Sequence, residues 1–146
     1  MTLTHFPVLY DTRLPLFVYG TLRTGQYNWQ HYLAGKTISE RRAIAPRHVL
    51  HVIQYPMMYD GEGDVVGDLM EIKPELYADV MYHIDGLEEF NPRTGDGWYL
   101  RVVREVVVDG ERTLAWLYHA SPRVIAQCNA TTHIPSGDWV EYLARN

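Results

Sequence analysis

The chain has 146 residues, of which 47% are apolar and 21% charged, as is typical of a soluble globular protein with one domain. A net charge of −5 argues against a nucleic-acid partner, and no apolar run approaches the length of a membrane span. Cys128 is the only cysteine and Met1 to Arg13 lacks the pattern of a signal peptide, so we expect a cytoplasmic protein without an internal disulfide.

The N-terminal part of the chain predicts a short strand that runs into a helix. Met1 to Arg13 shows no clear period and is interpreted as an extension of a single domain at residues 14–146. Leu16 to Tyr19 is an apolar run typical of a buried strand. The chain then turns at Gly20, and residues 26–33 predict a short helix.

The next part of the chain predicts a β-hairpin. Lys36 to Val52 is rich in β-branched and apolar residues and predicts one long or bent strand. Pro46 is expected at an edge or a bulge, because proline cannot donate to a strand ladder. Asp60 to Gly63 predicts the turn, and residues 65–72 the strand that returns from it.

A helix that begins at Pro74 is the main element of the second half of the chain. Its apolar residues have the spacing of an amphipathic helix: Leu76, Val80, Ile84 and Leu87. The later elements are, in order, a loop at residues 91–97, strands at 98–108 and 112–119 joined by the turn Asp109-Gly110, a stretch without clear period at 121–135, and a helix at 139–144.

This order of elements predicts an α+β fold. Turns join most neighbouring strands, so antiparallel pairing is expected to dominate. We predict a mixed, mainly antiparallel sheet that curls into a small barrel with a few flanking helices.

Glu88 is the strongest candidate for a catalytic residue. It lies where the main helix ends, between the apolar Leu87 and Phe90. Apolar surroundings raise the pKa of a carboxyl group, which can then act as a base near neutral pH. The alternative is that Glu88 is an ordinary solvent-exposed residue at the helix end, although a negative charge there interacts unfavourably with the helix dipole. Asp85 and Glu89 are weaker candidates on the same turn.

The loop that follows the first strand is a candidate binding loop. A strand that breaks at Gly20 and enters a helix leaves backbone N–H groups without ladder partners. Such N–H groups can hold a carboxylate or a carbonyl oxygen. The loop is not a nucleotide-binding P-loop, because the Gly-Lys-Ser/Thr ending is missing.

The sequence contains no motif typical of a metal site or of a serine hydrolase. His48 and His51 are three residues apart on a predicted strand, so they point to opposite faces. The serines have no Gly-x-Ser-x-Gly context. We therefore predict no metal and no cofactor.

Five segments, in order along the chain, resemble the γ-glutamylcyclotransferase-like family, in its γ-glutamylamine cyclotransferase or AIG2-like branch. They are Val18-Tyr19-Gly20-Thr21-Leu22-Arg23, Ile84-Asp85-Gly86-Leu87-Glu88, Tyr99-Leu100-Arg101, Ala115-Trp116-Leu117-Tyr118 and Ile134-Pro135-Ser136-Gly137-Asp138-Trp139. Two features depart from the family pattern: Glu89 stands where the family usually has glycine, and the loop before Tyr99 is longer than in compact members.

The resemblance implies an enzyme that cyclises a γ-glutamyl amide to 5-oxoproline and a free amine, with Glu88 as general acid and base. It implies no metal or covalent intermediate and a small γ-glutamyl molecule as partner. The implied substrate-binding residues are Tyr19, Gly20, Thr21, Leu22, Tyr99 and Tyr118. The alternative for the tyrosines is a purely structural role, in which the ring packs in the core and the hydroxyl contacts water.

Two other functions stay open at this stage. One is a non-enzymatic small-molecule binding protein of the same fold. The other is a catalytic relative that acts on a γ-glutamyl group carried by a metabolite or a protein side chain. Neither the leaving group nor the oligomeric state follows from the sequence.

Overall fold

The computed structural model describes residues 13–145, so nearly all of the predicted extension Met1 to Arg13 lies outside the described residues. Within that range the elements are β1 (Leu16–Val18), α1 (Tyr27–Tyr32), β2 (Thr37–Val52), β3 (Pro56–Ile72), α2 (Tyr77–Leu87), β4 (Phe90–Asn91), β5 (Asp96–Gly97), β6 (Tyr99–Val108), β7 (Glu111–Ala120), α3 (Pro122–Ile125) and α4 (Trp139–Arg145).

Five strands close into a barrel in the order β1-β3-β2-β6-β7. Neighbouring strands are antiparallel except β1 and β7, which run parallel and pair at Leu16 and Trp116. β6 and β7 form a regular hairpin that turns at the predicted Asp109-Gly110. The predicted α+β fold, with a mainly antiparallel sheet curled into a barrel, is confirmed.

Two apolar cores lie on the two faces of the sheet. All five barrel strands contribute to one of them, which includes Phe17, Leu50 and Leu117 and therefore fills the barrel interior. The other packs the outside of β1, β3 and β7 against α2, through residues such as Val80 and Ile84. This second core places the C-terminal end of α2 beside the end of β1.

The turn of the first hairpin lies at residues 53–55, so the turn predicted at Asp60 to Gly63 is wrong. That segment belongs to β3 and forms a bulge, because Pro46 pairs with Asp64 while His48 pairs with Asp60. A Cβ atom at Gly63 would lie 2.9 Å from the carbonyl oxygen of His48, so the glycine permits a close approach of two strands. The prediction of a bulge at Pro46 is confirmed.

The other differences concern short elements. The main helix begins with a 3₁₀ turn at Pro74–Leu76 before α2. The loop predicted at residues 91–97 contains the small ladder between β4 and β5. α3 lies in the stretch for which the sequence indicates no period, and four residues are too few to show one.

Candidate active site

A cavity of about 790 Å³ opens where β1 and α2 both end. The predicted base and all six predicted substrate-binding residues line it: Tyr19, Gly20, Thr21, Leu22, Glu88, Tyr99 and Tyr118. These residues come from four separate parts of the chain, and the barrel brings them to one place. Of the two weaker candidates for the base, Glu89 lines the cavity and Asp85 does not.

The loop at Gly20 to Leu22 presents unpaired backbone donors to the cavity. The loop turns because the N–H group of Arg23 donates to the carbonyl oxygen of Gly20 (3.1 Å), and α1 then starts with N–H groups that donate to the carbonyl oxygen of Thr21. Within residues 13–145, the N–H groups of Gly20, Thr21 and Leu22 donate to no protein atom. Backbone N–H groups without a protein acceptor are able to bind a carboxylate or an oxyanion.

Close packing and buried charge hold this loop in place. A Cβ atom on Gly20 would lie 2.6 Å from Cγ of Pro56, so only glycine fits there. The buried Arg23 donates to Asp138 (2.8 Å) and lies 3.5 Å from Asp68. Its guanidinium therefore ties the loop to β3 and to the start of α4 and does not face the cavity.

Glu88 is the C-cap residue of α2, and its backbone N–H donates to the carbonyl oxygen of Ile84 (2.9 Å). Its side chain is half-buried and lines the cavity. Burial, with a smaller contribution from the nearby charge of Asp85, raises the pKa of Glu88 from 4.5 to about 8. A carboxyl group with this pKa exchanges protons near neutral pH.

Asp85, one turn before Glu88, has a structural role. Its carboxylate accepts two hydrogen bonds from Arg101 (2.9 and 3.1 Å) and one from the hydroxyl of Tyr118 (2.6 Å). The Arg101 guanidinium also lies over the ring of Trp116, 4.6 Å from its centroid. Because these charges are paired inside the protein, they fix α2 against β6 and β7 and so position Glu88.

The three predicted tyrosines line the cavity and keep their protons. Tyr19 donates to the carbonyl oxygen of Tyr118 (2.8 Å), and Tyr99 donates to that of Pro56 (3.0 Å). Burial raises the pKa of all three hydroxyls, and the charge of Glu88 adds to this effect. Glu88 and the three tyrosines line the same cavity.

Sequence reasoning missed several aromatic residues at the cavity. Tyr27, Tyr55 and Trp98 line it together with Glu89. Tyr55 and Trp98 lie in short connections before β3 and β6, and loop aromatics without a motif give no signal in a single sequence. Among the described residues that line the cavity there is no lysine, arginine or histidine.

Comparison with known proteins gives a consistent result. A family sequence model described as gamma-glutamyl cyclotransferase, AIG2-like, matches residues 16–141. No curated protein sequence matches the chain significantly. Within the described residues, no helix is both long and apolar enough to cross a membrane.

Solved structures with low sequence identity share the fold. YkqA of Bacillus subtilis is 24% identical with a TM-score of 0.66, over 90% of this chain but only 41% of YkqA, so the chain spans less than half of that protein. An uncharacterised protein of Pyrococcus horikoshii is 24% identical with a TM-score of 0.57, over 90% of this chain and 94% of that one. An AIG2-like protein of Mus musculus is 19% identical with a TM-score of 0.58, over 86% and 93% of the two chains.

Proposed function

The chain belongs to the gamma-glutamyl cyclotransferase, AIG2-like family, and on that premise we propose that it converts a γ-glutamyl amide into 5-oxoproline and a free amine. The γ-glutamyl group of the substrate is bound through its amide to an amine, to an amino acid or, in an isopeptide, to a side chain. Glu88 is the general acid and base of this reaction. The observation that carries the proposal is a carboxyl group with a pKa of about 8 in the same cavity as three unpaired backbone N–H groups.

The reaction begins with a proton transfer to Glu88. The substrate's α-amine is an ammonium at neutral pH and attacks only after losing a proton. A carboxyl group with a pKa of about 8 is a stronger base than an ordinary glutamate, so Glu88 can take that proton. The lone pairs of the hydroxyls of Tyr19 and Tyr99 hold the remaining N–H bonds of the amine.

Ring closure and loss of the amine complete the reaction. The amine nitrogen attacks the γ-carbonyl carbon of the same molecule, and the carbonyl oxygen becomes an oxyanion held by N–H groups of Gly20 to Leu22. Glu88 then gives its proton to the leaving nitrogen as the amide C–N bond breaks and the carbonyl re-forms. Its carboxylate takes the second proton from the ring nitrogen, and the released amine carries that proton away as an ammonium. Because both reacting groups belong to one molecule, orientation in the cavity supplies much of the rate.

The test is release of 5-oxoproline from a panel of four substrates by the wild-type full chain and Glu88→Gln. The panel is a γ-glutamyl amine, a γ-glutamyl amino acid, a γ-glutamyl-lysine isopeptide and glutathione. Loss of a general acid and base is expected to lower kcat by about 10²- to 10⁴-fold with little change in substrate affinity. Glu75→Gln, which removes an exposed carboxylate outside the cavity, serves as the matched control.

The outcomes separate the candidate functions. Release that is lost in Glu88→Gln but kept in Glu75→Gln supports the proposal, and the best substrate identifies the leaving group. Equal release by wild type and Glu88→Gln contradicts the role of Glu88. Binding of a panel member without turnover, unchanged in Glu88→Gln, would instead indicate a binding protein of the same fold.

A further inference from the structure

Three potential metal ligands meet at one end of the barrel interior. His48, Asp60 and His119 each lie two residues from Leu50, Met58 or Leu117, which are fully buried in the interior core. Side chains two residues apart in a strand point to the same face, so the three polar groups continue the interior rows to the barrel end. Residues 48 and 119 are far apart in the sequence, and only barrel closure brings them together.

The distances among their ligand atoms suit a single ion. Nε2 of His48 lies 2.8 Å from Nε2 of His119, and Oδ1 of Asp60 lies 3.4 Å from the first and 3.9 Å from the second. Two nitrogens bound at about 2.1 Å are about 3.0 Å apart in adjacent positions of an octahedron and about 3.4 Å apart in a tetrahedron. The observed distance is therefore close to that of an octahedral ion, and a tetrahedral ion requires the two imidazoles to separate by about 0.6 Å. The imidazoles are buried and Asp60 is 59% exposed, so a small movement of the carboxylate completes the set.

The surroundings orient the two imidazoles for binding. Nδ1 of His48 lies 2.9 Å from the carbonyl oxygen of Pro46, which can only accept, so the hydrogen of neutral His48 is on Nδ1 and a lone pair is on Nε2. His119 then donates from Nε2 to that lone pair, and on binding an ion its hydrogen would move to Nδ1. Burial lowers the pKa of both imidazoles, that of His119 to about 4, so the neutral form that binds metals prevails at pH 7.

Two cations act on this group: Arg104, which faces all three residues, and Arg47, whose charge acts on His48. Arg104 donates to both oxygens of Asp60, at 3.0 and 2.8 Å. A carboxylate oxygen has two lone pairs, so Asp60 can keep these bonds and still bind an ion. The positive charge of Arg104 opposes a second cation, and we expect weaker binding than at a site made of cysteine and histidine alone.

We propose that His48, Asp60 and His119 bind one divalent first-row transition-metal ion, such as Zn²⁺ or Co²⁺. Two imidazoles and one carboxylate leave coordination positions open for water or a further oxygen ligand. The ion links β2, β3 and β7 at the barrel end. His119 follows Tyr118 in β7 and points to the other face of the sheet, so this metal site is separate from the cavity that contains Glu88.

The test is calorimetric titration of the full chain with Zn²⁺, with the absorption spectrum of added Co²⁺ as a second readout. We expect one ion per chain, a rise in melting temperature with Zn²⁺, and Co²⁺ bands that a chelator removes. His119→Gln and Asp60→Ala are each expected to weaken binding by at least about tenfold. His83→Gln is the matched control, because it removes an exposed imidazole on α2.

The variants keep the proposal falsifiable. Circular dichroism checks that His119→Gln is folded, and Asp60→Ala tests the same site through an exposed side chain if it is not. Absence of binding by the wild type overturns the proposal and leaves a hydrogen-bonded plug at the barrel end. Binding that persists in Asp60→Ala, or that disappears in His51→Gln but not in His119→Gln, overturns it as well and places the ion elsewhere.

Discussion

Replacing Glu88 by glutamine is expected to stabilise the fold at alkaline pH while it removes the proposed base. The folded-state pKa of Glu88 is raised, to about 8 from an ordinary value of 4.5. The folded protein therefore holds a proton that the unfolded chain has already lost. The resulting stabilisation is fully present below pH 4.5 and is lost as pH rises through about 8. Glutamine has nearly the same shape but carries no charge, so Glu88→Gln does not lose this stabilisation as the pH rises.

The magnitude follows from the pKa. A difference of one unit in pKa corresponds to about 1.36 kcal/mol. The difference between the ordinary pKa of 4.5 and the folded-state pKa of about 8 therefore corresponds to at most about 5 kcal/mol. Glu88 is only half-buried and faces an open cavity, so solvent screens part of the cost of its charge. We therefore expect Glu88→Gln to exceed the wild type by about 1–3 kcal/mol in free energy of unfolding above pH 8.

The assay is urea unfolding of both proteins at several pH values between about pH 4.5 and pH 9, where the linkage operates. Glu89→Gln is the matched control, because it removes the adjacent carboxylate, which is exposed. The stability difference between Glu88→Gln and the wild type should grow with pH, and Glu89→Gln should follow the wild type. Parallel curves for wild type and Glu88→Gln would refute the reasoning, because they would mean that the charge of Glu88 is solvated.

Three further predictions concern the same site. The kcat/KM of the wild type should rise with pH through about 8 as Glu88 ionises. If the residual activity of Glu88→Gln shows the same rise with pH, the group that titrates is the substrate amine, which contradicts the assignment to Glu88. Gly20→Ala places a Cβ atom 2.6 Å from Cγ of Pro56, so unfolding experiments should show a loss of about 1–3 kcal/mol and steady-state kinetics a higher KM, and unchanged values would mean that the loop adapts. Asp85→Asn leaves the buried Arg101 without its carboxylate and should cost about 3–5 kcal/mol in urea unfolding, and a loss below about 1 kcal/mol would contradict the proposed structural role.

Local patterns were sufficient for the fold class and for two features of the candidate site, the loop at Gly20 and Glu88, whereas the tyrosines were predicted only through the family resemblance. The alternation of apolar residues, the helical spacing after Pro74 and the turn at Asp109-Gly110 depend on interactions between near neighbours. A single sequence records such interactions directly, and the barrel confirms them. The ordered motifs likewise pointed to Gly20 and Glu88, which line one cavity, while their roles in binding and catalysis stay predictions.

The wrong turn in the first hairpin shows where local patterns fail. Asp60 to Gly63 has the composition of a turn, but glycine also permits a bulge in which two strands approach closely. The choice between turn and bulge depends on the pairing of β3 with β2 over its whole length. That pairing is a non-local property, and a short window of sequence does not contain it.

The sequence by itself determined the main strands and helices and their order along the chain. Only the tertiary structure decided the electrostatics, because the pKa of Glu88 depends on how much solvent the packed helix and barrel exclude around it. It also decided which polar side chains pair: Asp85 with Arg101, and His48 with His119. These partners are distant in the chain and become neighbours only when the strands close into a barrel, so their effects on one another follow from distance in space and leave no pattern along the sequence.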